Sequence, residues 1–199
     1  MRRSISCEDI IIKFDQLLEQ AESVLPFITD KKIQIEQRDI LTNTLHDIKN
    51  YKEQVIIQQE EGIANLFLYY QCAFNLKISY FKMCLSIKSK QYHAAWIYLV
   101  DMQDYYKYSI QAFRASILSS NDLTINRLLE YKQHLQSIED VIFYKMPIYQ
   151  SCGLQIIGGK CSICGGSIDR CTHIEERIYM GRVCKRILDK NDFIEIDHG

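Results

Sequence analysis

Proline is almost missing from this chain of 199 residues, occurring only as Pro26 and Pro147. Gly62 is the one glycine before position 150. So long a stretch with so few breakers reads as helices joined by short turns. No apolar run approaches the roughly 18 residues that a membrane span needs. The net charge is −1, which gives no overall pull toward nucleic acid or an anionic membrane. Met1-Arg2-Arg3-Ser4 leads to Glu8 and Asp9 rather than to the apolar core of a secretion signal, so the expected location is cytoplasmic. A glycine-rich phosphate loop with its lysine and a Gly-x-Ser-x-Gly elbow are both absent. The histidines of the first 150 residues, His46, His93 and His134, have no glutamate three positions before them. That excludes the Glu-x-x-His pairs of a di-iron bundle there and leaves them as surface or singly hydrogen-bonded groups.

What is present is a helical pattern. A first helix is expected from near Ser6 to just before Pro26, with Ser6 and Asp9 as a capping-box-like start. Ile10, Phe14, Leu17, Ala21 and Val24 form its apolar stripe. A second, from Thr29 or Asp30 toward Glu61, carries Ile33, Ile40, Leu41, Leu45, Ile48 and Val55, with Lys52 interrupting, and Gly62 marks a break or kink. A third, about 63–89, is the most apolar and is expected at the centre: Leu66, Phe67, Tyr70, Phe74, Ile78, Phe81 and Leu85. A fourth, about 91–119, runs from Ala95 through Trp96, Leu99, Met102, Tyr106, Ile110 and Phe113 to Ile117. A fifth starts at the Asn121-Asp122 cap and passes Leu128, Leu135, Ile138 and Ile142 to about Tyr144. Short turns favour antiparallel neighbours. The expected fold is therefore mainly α: an antiparallel bundle of about five helices over residues 1–147, then a small β-rich module over residues 148–199.

Five of the eight cysteines fall after position 150, Cys152 among them. Cys161-Ser-Ile-Cys164 is followed at once by Gly165 and Gly166, then by Cys171-Thr-His173 and Tyr179-Met-Gly-Arg-Val-Cys184. Two cysteines separated by two residues can fold around one ion, and glycine accepts the positive φ of such a turn. Thiolate and imidazole in a tetrahedron suit zinc. Cys171 and His173, two apart, would share a face on an extended strand. Five ligands stand before a site that takes four: Cys161, Cys164 and Cys184, with a fourth from His173 or Cys171, His173 first. A site with ligands to spare is expected to be structural, with no place for water. His173-Ile-Glu175 matches half of the zinc-deaminase signature, but the Pro-Cys-x-x-Cys that should follow it is absent. Short strands are expected around 154–157, 177–183 and 193–196, with a small helix near 185–189. Cys7, Cys72 and Cys84 sit in helical patterns as small buried groups.

The pattern CxxCG, CxH, YxGxxC resembles a small zinc-ribbon-like module of bacterial and phage-associated proteins, over about the last quarter of the chain. The resemblance implies a structural Zn(2+) on Cys161, Cys164, Cys171, His173 and Cys184. It also implies an accessory role in a bacterial multi-protein system such as phage defence. The leading expectation is a non-enzymatic adaptor, with the aromatic-rich 92–113 face and the zinc module as contact surfaces. No membrane partner is expected, and self-association stays open. An alternative is nucleic-acid binding. Residues 70–132 carry eight Lys/Arg against four Asp/Glu, interleaved with tyrosines, whereas residues 1–69 carry eight against twelve. The competing account of that basic set is that it faces the acidic first helices. A third reading is a zinc enzyme using Glu175 or Glu176.

Overall fold

The computed structural model describes residues 7–24, 30–143, 154–156, 158–189 and 193–195. The expected Ser6 cap, Pro26, Pro147 and Cys152 lie outside these residues. Five helices are described: α1 (Cys7–Ser23), α2 (Lys31–Ile57), α3 (Glu61–Lys88), α4 (Tyr92–Arg114) and α5 (Asp122–Ile142). The fold is mainly α, as the breaker-poor sequence implies.

Cross-helix contacts fix the directions. Lys52 reaches Gln71 and Lys88 reaches Gln34, so α2 and α3 run antiparallel. Asn65 reaches Ala115 and Lys82 lies over Tyr98, so α3 and α4 do too. Gln103 to Glu139 and Trp96 to Phe143 make α4 and α5 antiparallel. Asp15 meets Arg127 and Glu22 meets Tyr131, so α1 lies alongside α5 in the same sense. The α3 helix is buried on nearly every face between Ala64 and Ser86. A helix apolar all round belongs inside, and α3 is the axis of the bundle.

Two stripes are phased differently from the sequence reading, and one helix ends earlier. In α2, Ile33 and Ile40 are 45% and 42% exposed, while Gln34 and Leu41 are fully buried. The inward position of Gln34 is stabilised by Lys88, whose Nζ donates to its Oε1 at 3.1 Å. In α1, Leu18 rather than Leu17 is fully buried. The fourth helix ends at Arg114, not near 119, because Asn65 Nδ2 donates to the Ala115 carbonyl at 2.9 Å. Ile117 is consequently an exposed loop residue. Gly62 is not the break either. The break is at 58–60, where Gln59 takes φ 60, and Gly62 sits in the first turn of α3. There a Cβ would meet Ile117 Cγ2 at 2.6 Å.

After the helices the described residues hold six short strands: β1 (Leu154–Ile156), β2 (Lys160–Cys161), β3 (Ile178–Tyr179), β4 (Arg182–Val183), β5 (Arg186–Ile187) and β6 (Phe193–Glu195). They pair antiparallel as β1–β6, β2–β5 and β3–β4, three ladders nested around one chain reversal. The helix expected near 185–189 is replaced by β5. Arg186 and Ile187 are drawn straight by pairing with Lys160 and Cys161.

Candidate metal centre

The Cys161–Gly166 segment is a closed turn. The amide of Cys161 donates to the Gly166 carbonyl at 2.7 Å, and that of Gly165 to the Cys161 carbonyl at 2.8 Å. Gly165 has φ +73, which side chains rarely adopt. The Ile163 amide donates to Cys161 Sγ at 3.4 Å. Cys171 is set by its own amide, which donates to Ser167 O at 3.1 Å. It and His173 are not on a strand, as their spacing suggested. The chain bends at 171–172, and the Cys171 thiol reaches the His173 carbonyl at 3.5 Å. The His173 ring stands edge-on to Tyr179, with centroids 4.7 Å apart and planes at 89°. Tyr179 Oη accepts the Ile174 amide at 2.9 Å. Cys184 is fixed by two backbone bonds, its amide to Arg177 O at 2.8 Å and its carbonyl from the Glu176 amide at 2.7 Å.

These bonds bring Cys161, Cys164, Cys171 and His173 together, with ligand atoms all within 4.8 Å of one another. Cys184 Sγ lies 3.6 Å from Cys161 Sγ. The expected set counted Cys184 among the first three and left one of Cys171 and His173 spare. The geometry groups both and sets Cys184 beside Cys161. His173 Nδ1 is buried and has no hydrogen-bond partner among the described residues. A buried imidazole nitrogen without a partner is costly, and a metal ion supplies one. The donor set fits: three thiols and an imidazole can hold a metal ion.

Electrostatics point the same way. Burial pushes the Cys161 thiol up, but the amides of Cys164 and Ile163 and the thiols of Cys184 and Cys164 outweigh it and bring it down to about 6. Cys184 is pushed up to about 11 by burial and by the Cys161 thiolate, and Cys171 is raised by burial and the same neighbour. One thiolate thus forms readily and opposes the next, an order that a bound cation reverses.

The module sits on the bundle through the tip of β3–β4. Met180 and Gly181 have φ 46 and 67, the two left-handed residues of a type I′ hairpin. The Gly181 amide donates to Asn65 Oδ1 at 2.8 Å and the Met180 amide to Glu61 Oε1 at 3.2 Å. Ile178 and Val183 join the main core. Arg182 pairs with Glu53 and Lys107 with Glu176, both at 2.7 Å. Glu175, the glutamate of the deaminase-like match, lies 3.5 Å from Arg186 Nε. Sequence reasoning missed Asn65, although an amide between Ala64 and Leu66 in the most apolar helix was a signal.

The basic set of 70–132 is largely engaged. Arg127 meets Asp15, Glu19 and Glu22 of α1, and Lys77 is buried over the Tyr80 and Tyr131 rings. Lys82 and Lys132 remain exposed, as do His46, His93 and His134. Cys72 and Cys84 are buried, and burial pushes each thiol up to about 12. No helix among the described residues is long and apolar enough to cross a membrane. No protein-family model, curated protein or solved structure matches the chain.

Proposed function

We propose that the chain is a non-enzymatic zinc-binding adaptor. A helical unit, residues 1–147, and a structural zinc module, residues 148–199, together form one rigid docking body. The carrying observation is the Cys161, Cys164, Cys171 and His173 cluster with Cys184 against it: five donors for an ion that takes four. In this reading Cys161, Cys164, Cys171 and His173 hold the zinc. The ion supplies charge compensation for thiolates and a cross-link for a segment with very little core. Cys184 keeps its thiol against the Cys161 sulfur. Two sulfurs on one tetrahedral zinc lie about 3.8 Å apart, from Zn–S of about 2.3 Å. Cys184 is therefore also near enough to take a place that His173 gives up.

The engagement of Arg127, Lys77 and Lys107 within the protein favours the adaptor over a nucleic-acid surface. On α4, Tyr92, Ile97 and Val100 are exposed and fall within the expected contact face. Aromatic and aliphatic groups of this kind anchor protein interfaces. The accessory role in a bacterial assembly is supported by the resemblance of the cysteine pattern alone.

Zinc X-ray absorption on the wild type and on Cys184→Ser tests the reading. The expected result is one zinc with three sulfurs and one nitrogen in both proteins. An oxygen ligand in the wild type would raise the enzyme reading to first place. Loss of a sulfur in Cys184→Ser would make Cys184 a ligand. No zinc under reducing conditions would refute the centre itself.

A further inference from the structure

A cleft of about 400 Å³ lies where the β3–β4 hairpin meets α2, α3 and α4. That volume falls in the range of small-molecule sites, roughly 300–1,000 Å³. Three cations line it: Lys52 of α2, Arg182 of β4, and Lys185 just after it. Lys52 is only 8% exposed. Its Nζ donates to Gln71 Oε1 at 2.7 Å, a neutral amide that also lines the cleft. Arg182 shares Glu53 at the surface. The Lys185 ammonium lies 5.4 Å from the centre of the Tyr108 ring. Burial holds Lys52 below its ordinary value, which Glu53 offsets and Arg182 deepens. Convergence of like charges at a partly buried amine is unfavourable until an anion joins them.

The rest of the lining narrows the anion. Asp101 and Asp104 of α4 also border the cleft. They repel a bare anion and accept hydrogen bonds from hydroxyl or amino groups. Tyr105 and Tyr108 supply aromatic surface beside them. The ligand must therefore carry a compact negative group at one end, several hydrogen-bond donors, and a flat ring. We propose that this cleft binds a nucleoside monophosphate. Its phosphate sits on Lys52, Arg182 and Lys185, its ribose hydroxyls or base amino group donate to Asp101 and Asp104, and its base lies against a tyrosine. The cations of one phosphate group, not a track of them, rule out a nucleic-acid strand as the main occupant. Lys52 and the aspartates belong to the bundle, whereas Arg182 and Lys185 belong to the module. A nucleotide in this place would tighten the docking of one on the other.

The test is calorimetric titration of the whole 199-residue chain, zinc-loaded, with AMP, and in parallel with ribose 5-phosphate, inorganic phosphate and adenosine. AMP is expected to bind at least about ten-fold more tightly than phosphate or adenosine alone, with ribose 5-phosphate between. Lys185→Ala, at an exposed position, is expected to weaken AMP about ten-fold or more while zinc content and helical circular dichroism stay unchanged. Lys52→Met should do the same, and Lys132→Ala, far from the cleft, should have no effect. AMP binding no better than phosphate, or unaffected by Lys185→Ala, overturns the proposal. So does an absence of AMP binding in protein with intact zinc and helix content, a result that leaves the adaptor reading standing.

Discussion

Asn65 shows how much one side chain can hold. It is buried in α3, accepts the Gly181 amide from the hairpin, and donates to the Ala115 carbonyl at the end of α4. Removing the amide takes this partner from both, and the Gly181 amide is the buried one of the two, since Ala115 is exposed. A buried donor or acceptor left unsatisfied costs about 1–3 kcal/mol. Asn65→Ala should therefore lower stability by about 1–3 kcal/mol, read as a fall in the denaturation midpoint. A change within about 0.5 kcal/mol, as for ordinary surface positions, would mean the two bonds are not formed in solution. Lys77 is the opposite case, a charge whose burial opposes folding. Burial lowers its ammonium to about 8 from an ordinary 10.5, while Glu22 and Glu130 offset this and Arg127 adds to it. Between about pH 8 and 10.5 the folded state then binds fewer protons than the unfolded one. Stability contributed at Lys77 rises with pH across that window. Above pH 10 the tyrosines work against it, because burial raises Tyr69 to about 12 and lifts Tyr80 and Tyr131 as well. The difference between wild type and Lys77→Met isolates the lysine. The variant should be more stable by about 1–3 kcal/mol at pH 7, and its advantage should shrink toward pH 10. An advantage that grows with pH would contradict the burial account.

At the scale of elements, the β3–β4 hairpin is the part whose form and position are set together. Its turn needs two left-handed residues, and Gly181 has φ +67 with an added Cβ only 2.8 Å from the Ala64 carbonyl. That oxygen belongs to the α3 backbone and cannot swing aside. Gly181→Val should therefore undock the tip while the Cys161–Gly166 turn, which it does not touch, still takes metal. Hydrogen exchange would show faster amides at 178–183, with zinc content unchanged. Unchanged exchange at Gly181's neighbours would show that α3 yields instead. The elements differ in how legible they were. Five helices could be read because an up-and-down bundle follows the local apolar period, and so few breakers interrupt that period here. The stripe of α2 could not, because Ile33 and Ile40 outscore Gln34 on hydropathy, and only the Lys88 contact from α3 explains which face turns inward. The same holds for 185–189: local preference suggests a helix, and pairing with Lys160 and Cys161 makes β5. The candidate ligands were legible because CxxCG is chemistry at short range. Their grouping was not, since the bend at 171–172 and the pairing of distant strands decide which donors meet.

For the whole molecule, the two cores differ greatly in size, and that decides what metal removal does. The bundle buries a continuous cluster from Ile10 to Phe143 across all five helices. The module's own buried cluster consists of Cys161, Ile168 and Cys184, with Ile163, Cys171 and Tyr179 packed against it. Two of those three buried residues are cysteines of the candidate site, so the apolar area of the module's own cluster is close to one isoleucine, Ile178 and Val183 being packed on the bundle's core instead. Full burial of one such side chain stabilises by about 1.5–3 kcal/mol, whereas ordering each residue costs about 1–2 kcal/mol in backbone entropy alone. On the proposed zinc reading, the turns of 158–177 draw most of their folding free energy from the bound metal. The bundle has no such dependence, apart from what it shares with the module: the Asn65 and Glu61 hydrogen bonds, the packing of Ile178 and Val183, and the Glu53 and Lys107 ion pairs. Chelation under reducing conditions should leave the helical circular dichroism within about a tenth of its starting value, on the helix content of α1–α5. It should abolish amide protection in 158–177 and lower the denaturation midpoint of the bundle only by the lost docking. Collapse of the helical signal on chelation would mean that the bundle and the module fold as one cooperative unit through Asn65. Retained protection at Cys161 and Cys184 would mean that the turn is held by its backbone bonds and needs no ion.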